Sequence, residues 1–193
     1  MKSSDKEFFL FAVGEAGNLG TFLLSKKGRS LLLEHFPNDY IDKLSKKYEE
    51  EFKNKKELTF DEKYFTKCIN VSSGGYLASL WDMCEEMKMG LNYNLKNFPI
   101  SQYTVELCNF FDLNPYRLLC KNVYLISSDT PIETFKYLAS SFENVNFIGV
   151  FNNTKKRLRI DGDADAFLTK DHKDELLKIY PKSALREYLN KFL

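Results

Sequence analysis

GGYLASLWDMCEEMKMGLNYNLKNFPISQYTVELCNFFDLNPYRLL, residues 74–119, sets the pattern from which the rest of the chain is read. Two glycines lead into a segment where Leu77, Leu80, Trp81 and Cys84 fall at i, i+3, i+4 and i+7, while Asp82, Glu85 and Glu86 lie elsewhere. That spacing predicts an amphipathic helix with those four residues as its buried face. Gly90 is expected to end the helix, since glycine tolerates the backbone of a helix terminus. LNYNL (91–95) then alternates as a half-buried strand. Pro99 breaks the chain, and Ser101 stands where a cap would begin a helix over 101–111.

Upstream, EFFLFAVG (7–14) reads as a buried strand ending at Gly14, because a short, aromatic-rich apolar run bounded by glycine suits a strand covered on both faces. GEAGNLGT (14–21) turns the chain into a helix. Residues 38–63 are heavily charged, and Lys46/Glu50, Lys47/Glu51 and Glu51/Lys55 stand four apart, as on a solvated helix. TKCINV (66–71) is a second strand. Downstream, NVYLIS (122–127) is another. TPIE (130–133) has the form of a capping box with proline at the first helical position, Thr130 and Glu133 satisfying each other's end amides. Its helix is expected to turn Ile132, Phe135, Leu138 and Phe142 inward. VNFIGVF and RLRID are strands, and a charged helical tail follows. Strands alternate with helices throughout, which predicts an α/β (α+β) sandwich, a mixed sheet with packed helices in two or three layers. With no repeat or low-complexity linker, residues 1–193 read as one domain.

Charge narrows the function classes. Lys plus Arg number 28 against 27 Asp plus Glu, so no strong attraction to nucleic acid or an acidic membrane is expected. The one local basic run, TKKRLR (154–159), is short and flanked by acids. There is no leader-like start, and the longest apolar stretch, FFLFAV (8–13), is too short to span a bilayer. Cys68, Cys84, Cys108 and Cys120 form no CxxC pair, and His35 and His172 lie near none of them in sequence. That pattern argues against a metal cluster and for a reduced, cytoplasmic protein. DGDADA (161–166) imitates a calcium loop, but its sixth position is alanine and its twelfth is His172, so a hairpin turn is the better reading.

Two glycine turns are the candidate anion sites. In the first, Gly14, Gly17, Gly20 and Thr21 would let backbone amides approach a phosphate at a helix start. The plainer alternative is a tight strand-to-helix turn. In the second, NVSSGG (70–75), the candidates are Asn70, Ser72, Ser73, Gly74 and Gly75. The plainer alternative there is a helix cap by Ser72 or Ser73. No catalytic nucleophile–base pair can be nominated.

The run 74–119, with its P-I-x-x-x-T helix leading into NPY, resembles the carboxy-terminal domain of the AIR synthase-related superfamily, closest to its hydrogenase-maturation dehydratase-like branch. GEAGNLGT matches the G-x-x-G-x-x-G-T loop between first strand and first helix, and IDGDADAFL (160–168) resembles that branch's last hairpin. The superfamily also includes aminoimidazole-ribonucleotide synthase, thiamine-phosphate kinase and selenophosphate synthetase. The resemblance implies an AIR synthase carboxy-terminal-domain-like sandwich, with the superfamily's amino-terminal, ATP- and magnesium-holding half absent from this chain. Where the family pattern is approximately His-Asp-x-Thr-x-Gly-Gly, this chain has Ile69 to Gly75, with Asn70 in place of the acid. The small polar-glycine segment usual after NPY is Cys120, Lys121 and Asn122, and the chain ends in REYLNKFL without the dehydratase's terminal cysteine. The resemblance therefore implies a degenerate site and a non-catalytic binding or scaffold subunit. ATP and magnesium would be engaged only with a partner, either a second copy in a homodimer or a separate ATP-binding subunit. The alternatives are the substrate-closing half of an ATP-dependent enzyme completed in trans, and a binder of a phosphorylated metabolite.

Overall fold

The computed structural model describes residues 6–54, 59–162 and 166–192. Its centre is β1 (Phe9–Val13), the apolar run FLFAV. Leu10 and Ala12 point to one face of the sheet, Phe11 and Val13 to the other, and all four are buried. A strand covered on both faces has no polar side, which is why the run is continuously apolar rather than alternating.

Around β1 stand β2 (Lys67–Val71), β3 (Gly90–Tyr93), β4 (Val123–Ser128), β5 (Val145–Asn152), β6 (Arg157–Arg159) and β7 (Ala166–Phe167), in the spatial order β2-β4-β1-β5-β3-β6-β7. The pairs are antiparallel except β3 with β6, so the sheet is mixed. One face is covered by α4 (Gly75–Met87), whose Tyr76, Leu80 and Met83 are buried against Leu10, Val71, Leu125 and Ile148. Beside this core lies a helical one, where α1 (Asn18–Lys27), α3 (Asn38–Asn54) and α5 (Gln102–Phe111) bury Phe22, Leu44, Tyr48 and Leu107. The short α2 (Arg29–Leu32) joins α1 to α3, and α7 (Lys182–Phe192) adds Leu185. On the other face lies α6 (Pro131–Ser141). Helices therefore pack on both faces of a mixed sheet, the predicted α/β sandwich.

Several local signals held and others did not. The Ser101 hydroxyl accepts from the Thr104 amide at 3.2 Å and caps α5. Lys46 pairs with Glu50 at 3.8 Å, but Lys47 turns to Glu15 at 2.8 Å, and Lys55 lies outside the described residues. Residues 163–165 of the expected hairpin also lie outside them. α4 ends at Lys88, which takes the left-handed backbone (φ 56°) expected at its terminus, while Gly90 opens β3.

Two helix faces differ from their spacing. Trp81 is half-buried, because it packs under Arg157, whose guanidinium lies 3.8 Å from the ring centroid; Tyr76 and Met83 complete the inner face instead. In α6 the inward residues are Thr134 and Leu138. The Thr134 hydroxyl donates to the Tyr64 carbonyl at 2.6 Å and fixes the helix rotation, leaving Ile132 64% and Phe135 43% exposed. The capping box does not form: Thr130 makes no side-chain cap bond, and Ser128 Oγ instead accepts from the Thr130 amide at 3.0 Å.

These two aromatic and aliphatic side chains belong to a larger surface. Phe9 pairs in register with Val150, Val150 with Asn92, Asn92 with Leu158, and Leu158 with Phe167, so all five lie on one face of the sheet. Phe147 (41% exposed) sits 6.3 Å from Phe9 and 5.9 Å from Phe11 between ring centroids, and Phe167 is 66% exposed. α6 packs chiefly against β1 and β5 on this face, and Asn92 on β3 and Phe167 on β7 are exposed.

Candidate functional site

Both glycine turns pack against one stretch of chain, Pro115–Val123, which runs between them. The first turn leaves β1 at Gly14. Its Gly20 is obligatory: a Cβ there would stand 2.2 Å from the Leu118 side chain. The amides that would cradle a phosphate are bonded inside the protein. Gly14 donates to the Asn144 carbonyl (3.0 Å), Ala16 to Pro99 (2.7 Å), Gly17 to the Cys120 sulfur (3.2 Å) and Gly20 to Leu119 (2.9 Å). Asn18 is fully buried and clasps Lys121, donating to its carbonyl at 2.9 Å and accepting from its amide at 3.0 Å. Thr21 faces away, its hydroxyl 2.8 Å from both the Gly17 carbonyl and Thr104 Oγ1. This hydroxyl pair continues through Ser101 and Tyr48 to Glu15 and Lys47, so the turn is tied to α3 and α5 by a mostly buried polar network.

The second turn follows β2. Asn70 is exposed on this edge strand, and Ser72 and Ser73 are also exposed. The helix cap is neither serine but Gly74, in the left-handed region (φ 78°), with no side-chain cap from its own residue. The missing acceptor comes from 100 residues away. Asp174 Oδ2 accepts from the Gly74 amide at 3.0 Å and from the Ser73 hydroxyl at 3.4 Å, while Oδ1 accepts from the Leu176 amide at 3.0 Å. A carboxylate thus stands at the amino end of α4, where the helix dipole favours negative charge. Asp174 is only 5% exposed, and burial pushes its carboxyl above the usual carboxylate range against the pull of these bonds. The backbone of the Asp174 segment lies against the turn so closely that a Cβ on Gly74 would meet the His172 carbonyl at 2.9 Å. Nearby, Arg117 bonds the Asp171 carbonyl and Thr169 Oγ1 (3.0 Å), and His172 Nε2 lies 2.9 Å from Asp82.

The structure thus gathers Gly17, Gly20 and Gly75 around Leu118, joins Ser73 and Gly74 to Asp174, and leaves Asn70 and Thr21 outside both groupings. Asp174 was missed because the cap it supplies is remote in sequence. The available signal, an aspartate two residues before Leu176 in DELL, announces only the local cap of the short helix Glu175–Lys178. Among the described residues no three His, Cys, Asp or Glu side chains gather to hold a metal ion. Cys84, Cys108 and Cys120 are buried thiols, each pushed up to about 12 by burial, so none is poised as a nucleophile.

The fold matches that of several solved structures. E. coli HypE, a hydrogenase maturation protein, superposes with a TM-score of 0.64 at 13% identity, over 93% of this chain and 54% of its own. A HypE–HypF complex gives 0.61 at 11%, over 88% of this chain and 55% of the other. Thiamine-monophosphate kinase from Stenotrophomonas maltophilia gives 0.54 at 16%, over 86% and 51%. The chain has an AIR synthase carboxy-terminal-domain-like fold. The likeness is one of fold, and the chain spans about half the length of the structures it matches. No family model and no curated protein sequence matches it. No helix among the described residues is long and apolar enough to cross a membrane.

Proposed function

We propose that this chain is a non-catalytic, partner-binding domain built on the AIR synthase carboxy-terminal fold. The observation that carries the reading is Asp174. At the glycine turn where the superfamily resemblance would put a nucleotide-facing acid and hydroxyl, the chain's own carboxylate takes the amide of Gly74 and the hydroxyl of Ser73. The amides of the first turn are likewise bonded to Asn144, Pro99, Cys120 and Leu119. Neither turn offers a ready cradle for the phosphates of ATP.

Binding of a partner is supported by the open sheet face. Contiguous exposed apolar surface is uncommon on a monomer and marks an interaction site. Phe135 and Phe147, each about two-fifths exposed, flank Phe11 with ring centroids 6.2 and 5.9 Å from it and supply such a surface. A symmetric homodimer, the commonest assembly, is the first partner. A second reading, the substrate-closing half of an ATP-dependent enzyme completed by a separate ATP-binding subunit, is favoured by the half-length match to HypE and thiamine-monophosphate kinase.

The test has two arms. Incubated alone with ATP and magnesium, the chain is expected to show no turnover; hydrolysis abolished by substitutions within this chain would overturn the non-catalytic reading. Sedimentation at micromolar concentration is expected to show a dimer that Phe135→Asp with Phe147→Asp converts to monomer while helicity is kept. A monomer that gains no mass with candidate partner subunits would overturn the partner-binding reading.

A further inference from the structure

Away from the glycine turns, positive charge gathers at the far end of α4. A cavity of about 220 Å³ opens there between the helix terminus and β6, lined by Cys84, Glu85, Lys88, Met89, Lys155 and Arg157. Lys155 and Arg157 come from TKKRLR, the local basic run of the sequence, whose arginines open and close β6. Three cations face one carboxylate, leaving two positive charges uncompensated. Arg157 is held in place by Trp81 beneath it and by a bond from Nη2 to Glu85. Among the described residues, neither Lys88 nor Lys155 meets a carboxylate within ion-pair distance.

One donor of this wall, Arg157 Nε, is buried without an acceptor, as is Nε1 of the Trp81 ring that lies beneath it. A buried donor without a partner is costly, and a folded protein keeps few of them. Lys88 is a further departure, a lysine with left-handed backbone (φ 56°) at a helix terminus where glycine is usual. The negative end of the helix dipole, which would repel an anion, is partly neutralised. The Cys84 and Glu85 carbonyls accept from the Lys88 amide, and Cys84 also accepts from Met89 at 3.2 Å.

We propose that this cavity binds a small phosphate monoester. A phosphate monoester carries close to two negative charges at neutral pH, which matches the uncompensated charge of the wall. Its acceptor oxygens suit one arginine edge and two lysine point charges. At about 220 Å³ the cavity is roomy enough for a phosphoryl group. The site is remote from the Gly74 turn and from the open sheet face, and it stands whether or not the chain works as a partner subunit.

Trp81 is the only tryptophan of the chain and lies against Arg157, so its emission reports on this site directly. The intact chain is titrated with inorganic phosphate and with glycerol 3-phosphate at constant ionic strength, with calorimetry as a second readout. A saturable change in emission is expected, with glycerol 3-phosphate the tighter of the two. Lys88→Ala and Lys155→Ala, both on exposed side chains that leave thermal unfolding unchanged, are each expected to weaken binding about ten-fold, the scale of one lost hydrogen bond to a charged group. No saturation by calorimetry up to tens of millimolar, or affinity unchanged in the double variant, would overturn the site. Sulfate binding as well as glycerol 3-phosphate would overturn its assignment to a phosphate monoester.

Discussion

Replacing Asp174 with alanine tests the joint that closes the second glycine turn. The carboxylate caps two chain segments at once, α4 through the Gly74 amide and the Glu175–Lys178 helix through the Leu176 amide, and both bonds are buried. Loss of a helix cap costs about 0.5–2 kcal/mol, so two caps are worth about 1–4 kcal/mol. Against this, removing a buried carboxylate relieves its desolvation, which brings the expected net loss to about 1–3 kcal/mol. The pH dependence is the sharper discriminator. Burial holds the folded carboxyl above its unfolded value, so between those two values the folded state binds the proton more tightly. Unfolding there releases a proton, and wild-type stability falls as pH rises through the window. The advantage of wild type over Asp174→Ala is therefore expected to be greatest below the ordinary carboxylate range, to shrink through the window and to be flat above it. Urea unfolding of both proteins across mildly acidic to neutral pH measures this. An advantage that grows with pH would mean that the amides outweigh burial; a difference below about 0.5 kcal/mol throughout, the scale of an ordinary surface change, would refute the capping role.

Truncating Trp81 to alanine should cost about 1–2 kcal/mol, chiefly its stacking with Arg157, whereas Leu80→Ala in the same helix should cost about 2–5 kcal/mol; equal losses in chemical denaturation would contradict the half-buried placement. Gly20→Ala drives a methyl group into Leu118, which is fully buried, and should destabilise by about 1–3 kcal/mol, as overpacking does; a neutral or stabilising outcome would show that Leu118 yields freely. Under native conditions a maleimide should label Cys68 alone, and slowly, since burial pushes that thiol up to about 11 while the other three are enclosed; rapid labelling of more than one site by mass spectrometry would argue against the packing of α4 and α5.

Much of what could be read in advance lay in short stretches of chain, although the TPIE box, equally local, was displaced by Ser128. FLFAV is a strand buried on both faces because nothing polar interrupts it, and Ser101 caps α5 because its acceptor and the Thr104 amide are three residues apart. The rotation of α6 was not legible. Its apolar spacing fits Ile132 and Phe135 inward, yet Thr134 and Leu138 face in, with the Thr134 hydroxyl bonded to the Tyr64 carbonyl 70 residues away. Trp81 was misplaced for a related reason: spacing assigns a residue to a helix face but does not say that an arginine from β6 will cover it. At the candidate site the glycines announced where the chain turns sharply, but not which groups fill the turns. Asp174 and Cys120 arrive from distant sequence, and no periodicity connects them to Gly74 or Gly17.

The position of β1 between β4 and β5 has a consequence during synthesis. Its hydrogen-bonding neighbours begin at Val123 and Val145, so its first strand partner is more than a hundred residues from the amino-terminal run that needs it. At about 5–20 residues per second, a nascent chain carries FLFAV without either neighbour for roughly 6–24 seconds. During that interval five consecutive apolar residues with open hydrogen-bonding groups on both edges are a template for any other extended chain. Yield in the cell should therefore depend on how that segment is shielded while the ribosome works, and slowing translation ahead of Val123 should raise the aggregated fraction without altering the stability of the finished protein.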